Sequence, residues 1–399
     1  MNQPNSSISS FEAVGLKSLG ILRSGWPTLA WTAVWLAIID LVLGMVFQYP
    51  EEPKAMSPNP MALYFDYGRS MEGRLRRATR ENPADTAPIT LAGWYEPLED
   101  VIRPSLPGAD EVTIYGMSHA VRLADAIPQV SPNFRIRSVG APGASTNWSY
   151  GAFLRDPDRA RSRAAVLAIM SSTLPMILSP TPMDWNTSFA MPYTADRFVL
   201  GNDGQLGRIS PPYESFTDYV RTLRDPEAWR QALAQFARTD PFYDPFLVEA
   251  TGLDHSTTVR LVRRAWSQRR DRAWRADVLT SEGFDAASEP VLVANAIVAD
   301  FAREARVQGI VPVVYIVDSF GYGDQLTRAL IDTLKRHRIP FVSSSQHVDP
   351  KIPTNYLPDS HFTDANDRIL ARALAQVLND EFASGAENRS SREMPAIRM

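Results

Sequence analysis

Ser118, Asp359 and His361 are the residues in this chain best suited to nucleophilic chemistry. A serine hydroxyl is a poor nucleophile until a base takes its proton. That base is usually a histidine, itself oriented by a carboxylate. Ser118 stands in YGMSHA (Tyr115–Ala120), and Asp359 and His361 stand in PDSHFTDAN (Pro358–Asn366), so the chain order is Ser, Asp, His. Taken alone, Ser118 reads as a turn or cap serine and His361 as a surface histidine near a helix start. Together they point to acyl chemistry. An ester-cleaving site also needs donors aimed at the developing oxyanion. Gly143 and Asn147 in GAPGASTN (Gly140–Asn147), and Ser171, stand just after strands, where such donors would have to lie. Asn147 reads equally as a loop or helix-cap residue, and Asn147-Trp148-Ser149 is a glycosylation sequon by letter only.

Other chemistries are thinly supplied. The chain has no cysteine, which removes disulfides, thiolate metal sites and thiol nucleophiles together. Its five histidines (His119, His255, His337, His347, His361) show no HxxxH or HxH spacing, so no metal or cofactor site is expected. His119 follows the nucleophile directly and should point elsewhere. His255, after Asp254, reads as structural. His347 and Asp349 are substrate-contact candidates. Net charge is 41 − 45 = −4 with the arginines scattered among acids, so no nucleic-acid partner is implied.

These residues need elements to position them. Glu111–Tyr115, Phe134–Val139, Arg163–Met170, Val311–Val317 and Pro340–Ser344 read as strands. Ala120–Ala126, Val291–Gln308, Gly323–His337 and Thr363–Phe382 read as helices, with Thr363 as a cap. Alternating strands and helices predict an α/β fold, a three-layer α/β/α parallel sheet. Ligands of such sheets bind beyond the carboxyl ends of the strands. Ser118, Gly143, Asn147 and Ser171 all follow strands, and Asp359 and His361 enter the last helix. The stretch 173–285 breaks the rhythm and reads as a helical insertion, with Ser179–Pro212 as loop and Phe216–Gln235 and Pro245–Asp277 as helices.

The N-terminal part is different. Trp26–Phe47 is a 22-residue apolar run whose one charge is Asp40, long enough to cross a bilayer as a helix. The chain divides into a tail (1–25), a transmembrane helix (26–47), a Pro-rich linker and membrane-proximal segment (48–107), a catalytic domain (108–385) and a flexible tail (386–399). Met61–Arg80 suits a helix and Asn82–Pro107 is irregular. Lys17 and Arg23 precede the span and Glu51 and Glu52 follow it, so the positive-inside bias puts the tail in the cytoplasm and the catalytic domain outside. Asp40 marks either a contact with another membrane protein or a charge tolerated by tilting and local water.

The blocks YGMSHA, GAPGASTN and PDSHFTDAN resemble those of the SGNH (GDSL-type) esterase superfamily over about Asp110–Phe382. The resemblance implies an SGNH/flavodoxin-like sheet with Ser118 as nucleophile, His361 as base, Asp359 as its orienting acid and Gly143 in the oxyanion hole. Two blocks depart from the pattern. Met117 replaces the usual acid, and Ala168–Ser172 lacks the expected asparagine. The Asp-x-His spacing is similar to the branch that O-acetylates bacterial exopolysaccharides, whose members are exported or membrane-anchored. The implied function is a serine-dependent ester hydrolase or O-acyltransferase, acetyl foremost, acting on a cell-envelope or exported polysaccharide. It would sit in the inner (cell) membrane as a single-pass protein with its domain periplasmic or extracytoplasmic, with room for a membrane acyltransferase partner. The competing reading is a catalytically weakened SGNH-like module that binds glycans or scaffolds an envelope assembly. GMSHA is also one residue from the α/β-hydrolase elbow, but that elbow follows several strands rather than the first.

Overall fold

A computed structural model of the chain describes residues 15–46, 68–78, 101–102, 109–140, 143–181, 194–213 and 215–393. In chain order the elements are α1 (Gly15–Val46), α2 (Met71–Ala78), β1 (Val101–Ile102), β2 (Asp110–Gly116), α3 (Ser118–Val130), β3 (Phe134–Gly140), α4 (Thr146–Arg155) and β4 (Ala164–Met170). There follow β5 (Arg197–Leu200), β6 (Leu206–Ile209), α5 (Phe216–Arg224), α6 (Pro226–Thr239), α7 (Pro245–Val248), α8 (Thr257–Val278), β7 (Leu279–Thr280) and β8 (Gly283–Phe284). The chain closes with α9 (Glu289–Val307), β9 (Val311–Val317), α10 (Gln325–Arg336), β10 (Phe341–Ser343) and α11 (Asp364–Glu393).

The main sheet runs β1-β3-β2-β4-β9-β10, with β3 to β10 parallel and β1 antiparallel on the β3 edge. The central strands β4 (AAVLAIM) and β9 (VPVVYIV) are apolar nearly throughout and buried, as strands covered on both faces must be. Helices α3 and α11 pack together on one side, and α4, α9 and α10 lie on the other. The chain leaves β2 toward β3 on one side and later returns to β4 on the other. The carboxyl end of β2 is therefore the topological switch point, where open α/β sheets form their ligand crevice. Ser118 sits there.

Several sequence expectations change. Asn82–Pro107, read as irregular, supplies β1; the linker 48–107 otherwise lies largely outside the described residues. The stretch Ser179–Pro212 holds the antiparallel hairpin β5–β6 rather than loop alone. The helix expected at Phe216–Gln235 is two: Asp225 ends α5 and caps α6, accepting from the amides of Glu227 (2.9 Å) and Ala228 (3.2 Å), with Pro226 in the first turn. The insertion packs onto the sheet, with Phe198, Tyr213, Tyr219, Trp229 and Phe236 joining the same apolar core. The last helix continues through Glu393 instead of giving way to a tail at residue 386, and only 394–399 lie outside the description.

Helix α1 contains Trp26–Val46, 21 residues of mean hydropathy 2.1 with none buried, long and apolar enough to cross a membrane. It begins at Gly15 rather than near Trp26, and Phe47 lies outside the described residues. Asp40 makes hydrogen bonds within the chain. Its Oδ1 accepts from Ser256 Oγ (3.0 Å) and the Thr258 amide (2.6 Å) at the start of α8. Behind this contact Asp254 is buried and accepts from Ser70 and from Arg263 (2.6 Å). Arg263 also donates to the Gly68 carbonyl (3.0 Å), which ties the segment leading to α2 onto the insertion.

Candidate active site

The local chain between β2 and α3 is dictated by space. A Cβ at Gly116 would lie 2.6 Å from that of Ala168 and 2.7 Å from that of Ala120, so only glycine lets the strand pass directly into the helix. Met117 caps α3 through its carbonyl, which accepts from the amides of Ala120 (2.8 Å) and Val121 (3.2 Å). Ser118 is thereby the first residue of α3. Its amide is among the first-turn amides that no intrahelical carbonyl can satisfy, and it lies at the positive end of the helix dipole.

His361 arrives on a three-residue hairpin loop. The Leu357 amide donates to the His361 carbonyl (2.7 Å) and the Ser360 amide to the Leu357 carbonyl (2.9 Å). Pro358 occupies the position where a preset φ helps, and Ser360 adopts the left-handed conformation that completes such a loop, with φ +70°. This kink returns the Asp359 carboxylate to the histidine two residues on. His361 Nδ1 donates to Asp359 Oδ2 at 3.0 Å, and the His361 amide donates to Asp359 Oδ1 at 3.2 Å. The hydrogen bond from the imidazole, then that from the amide, hold the Asp359 carboxyl below its usual range. Ser118 Oγ donates to His361 Nε2 at 2.7 Å, across 243 residues of sequence. The structure therefore brings Ser118, His361 and Asp359 into one hydrogen-bonded chain. Asp359 is 65% exposed, unlike the buried acid of most such triads.

His119 supports the loop that carries His361. Its Nε2 donates to the Ser360 carbonyl at 3.3 Å, and its ring lies 4.7 Å from that of His361. With Nε2 carrying the proton, Nδ1 is a buried acceptor without a hydrogen-bond partner among the described residues. Burial first, and the neighbouring His361 second, hold its pKa down to about 4, so it is neutral near pH 7. Arg122, one turn along α3, donates to Asp367 (2.9 Å), Asp364 (2.7 Å) and the Phe362 carbonyl (3.2 Å). Thr363 caps α11 through the Asn366 amide (3.4 Å). The helix that carries Ser118 thus also anchors both ends of the segment that carries His361. Nothing in the residue types of His119 or Arg122 signals this; it follows from which face of α3 meets α11.

The expected oxyanion side chains are committed elsewhere. Asn147 is fully buried in α4. Both its amide protons are used, on the carbonyls of Ser179 (3.0 Å) and Asp196 (2.9 Å), while its oxygen accepts from Ser145. The same burial closes the sequon. Ser171 spends its proton on the Val317 carbonyl (3.3 Å) and accepts from the Ser319 amide (2.8 Å), tying β4 to β9. Neither has a proton left for a substrate. Gly143, at φ +65°, turns the chain from β3 toward α4 at the same sheet edge. His255 and His347 are exposed, and Asp349 serves its own turn through the Lys351 amide (2.9 Å). Among the described residues no group of His, Asp and Glu is arranged to hold a metal ion.

No model of a known protein family matches the chain, and no curated protein matches its sequence.

Proposed function

We propose that the protein is a serine-dependent acyl-transfer enzyme of SGNH type, tethered to a membrane by α1. The observation that carries this reading is the relay Ser118 Oγ to His361 Nε2 (2.7 Å) and His361 Nδ1 to Asp359 (3.0 Å), at the switch point of a parallel sheet. In the reaction Ser118 Oγ attacks the ester carbonyl while His361 Nε2 takes its proton. The tetrahedral oxyanion is held by the Ser118 and Gly143 amides and by the dipole of α3. Collapse breaks the bond to the alcohol, which leaves with the proton from His361. A second acceptor then takes the acyl group from Ser118, with His361 removing the acceptor's proton and returning it to Ser118. Water as acceptor makes an esterase; a sugar hydroxyl makes an O-acyltransferase. Acetyl groups on a cell-envelope or exported polysaccharide are the proposed substrate, with the domain outside the cytoplasm.

The commitment of Asn147 and Ser171 within the fold favours one alternative, a catalytically weakened glycan-binding or scaffolding module, because losing a single oxyanion donor costs ~10²–10³ in rate. Labelling with an active-site serine phosphonate separates the two. Covalent labelling that disappears in Ser118→Ala supports the enzyme, and folded wild-type protein that never labels supports the module. Hydrolysis of p-nitrophenyl acetate with and without an oligosaccharide acceptor then distinguishes water from sugar.

A further inference from the structure

Asp40 lies six residues before the end of α1 at Val46, about 9 Å along the axis at ~1.5 Å per residue. At that level it accepts from Ser256 Oγ and the Thr258 amide. A carboxylate at a helix N-terminus is favourable on electrostatic grounds, since it meets unsatisfied amides and the positive end of the dipole. One turn further along α1, a Cβ at Gly44 would stand 3.5 Å from Thr257 Oγ1, so the two helices touch there. If Trp26–Val46 crosses a bilayer, the start of α8 is held within the last ~9 Å of the apolar span. That is the depth at which interfacial helices bury their apolar faces, ~5–10 Å into the headgroup and acyl boundary.

The surface of α8 has the composition such a position requires. Val262, Trp266, Arg269, Ala273 and Ala276 are exposed and recur three or four residues apart, forming one stripe with Ala265 beside it. Thr258, which donates to Asp40, is four residues before Val262 and begins the same stripe. Val262 is 55% exposed, Trp266 43%, and Leu253, just before α8, 54%. Of the seven arginines of the helix, Arg260 and Arg263 are buried, and Arg263, Arg270 and Arg275 pair with Asp254, Asp244 and Asp271. The exposed arginines Arg269 and Arg272 lie beyond the apolar part, away from α1. Trp266 donates its indole N–H to Asp244 Oδ2 (2.8 Å), so what it offers outward is the ring, while the exposed arginines have the long apolar stem and charged tip that suit a headgroup boundary.

We infer that the first half of α8, with Leu253, Val262 and Trp266, is seated in the boundary region of the bilayer that α1 crosses, with Arg269 and Arg272 toward anionic headgroups. The inference rests on the proposed membrane crossing of α1. Its consequence is that the α/β body is held against the membrane in a set orientation and does not swing freely on its linker.

The absence of cysteine makes the test direct. Val34→Cys, Val262→Cys, Trp266→Cys and Val307→Cys, each in the full chain, receive one environment-sensitive fluorophore and are reconstituted in phosphatidylcholine/phosphatidylglycerol vesicles. Val307, 76% exposed at the end of α9, is the solvent-facing reference. The expected result is quenching of 34, 262 and 266 by nitroxide-bearing lipids, with aqueous iodide quenching several-fold weaker at all three than at 307. Iodide quenching at 262 and 266 equal to that at 307, with 34 still in lipid, overturns the seating of α8 and leaves the membrane crossing intact. Iodide access at 34 overturns the crossing and the seating together. Protection of 262 and 266 without lipid quenching means that protein covers the stripe, which also refutes the inference.

Discussion

Acid should loosen this fold through His119, a residue that performs no chemistry itself. The imidazole is 7% exposed, its Nε2 proton is given to the Ser360 carbonyl, and its Nδ1 has no hydrogen-bond partner among the described residues. Protonating it would bury a charge 4.7 Å from the His361 ring and create an N–H with no partner. Its pKa is accordingly held down to about 4, against the ordinary 6.5. In the unfolded chain the ring takes a proton near pH 6.5, and in the native state only near pH 4. Between these values the unfolded state binds more protons, so stability is fully present above pH 6.5 and is lost as the pH falls through about 4. At ~1.36 kcal/mol per pH unit, the separation amounts to about 3 kcal/mol. The assay is urea unfolding of the full chain in detergent, followed by the fluorescence of its buried tryptophans, from pH 7 to pH 4. Wild type should lose about 3 kcal/mol more than His119→Phe, which fills the site without titrating. Asp367, whose carboxyl is pushed up to about 6 by burial despite Arg122, works in the opposite direction in both proteins and cancels from the difference. Parallel pH profiles for the two proteins would refute the reasoning.

Three further outcomes follow from the same geometry. Asp359→Asn should lower kcat/KM by about 10²-fold or less, well short of the ~10⁴ that a buried triad carboxylate commands, because water screens an acid that is 65% exposed; a loss in ester hydrolysis as large as that of Ser118→Ala would contradict this. Ser360→Gly should keep the activity, since φ +70° costs glycine nothing, whereas Ser360→Val should lose it together with the His361 position; equal activity of the two variants in p-nitrophenyl acetate hydrolysis would show that the left-handed turn does not set the relay. Arg122→Met should lower kcat by up to ~10²-fold with KM little changed, because it releases the Phe362 carbonyl and the start of α11, and Arg122→Lys should restore part of it; a loss confined to thermal stability would assign Arg122 to the fold alone.

Much of the architecture was legible along the chain because its signals are local. The apolar runs of β4 and β9 announce strands buried on both faces, and the glycines that end β2 and β3, Gly116 and Gly140, mark where backbone must pass close to side chains. Short pairings were not legible: β1 is two residues long, and the β5–β6 hairpin carries a mixed burial pattern that no alternation reveals. At the site, residue type and place after a strand suggested donors, yet those cues do not show where a donor's protons go. Asn147 and Ser171 stand after the right strands and give their hydrogens to carbonyls of Ser179, Asp196 and Val317.

From its sequence alone, this protein determined an apolar segment long enough to cross a membrane and an alternating α/β body whose strand ends carry Ser118 and whose last loop carries Asp359 and His361. These rest on composition and periodicity, which neighbouring residues set among themselves. Tertiary structure alone decided that Ser118 and His361 meet across 243 residues, that His119 and Arg122 brace the segment carrying His361, and that Asp40 accepts hydrogen bonds at the start of α8. The physical reason is that a hydrogen bond belongs to two groups, and which two is settled only when distant segments are packed against one another.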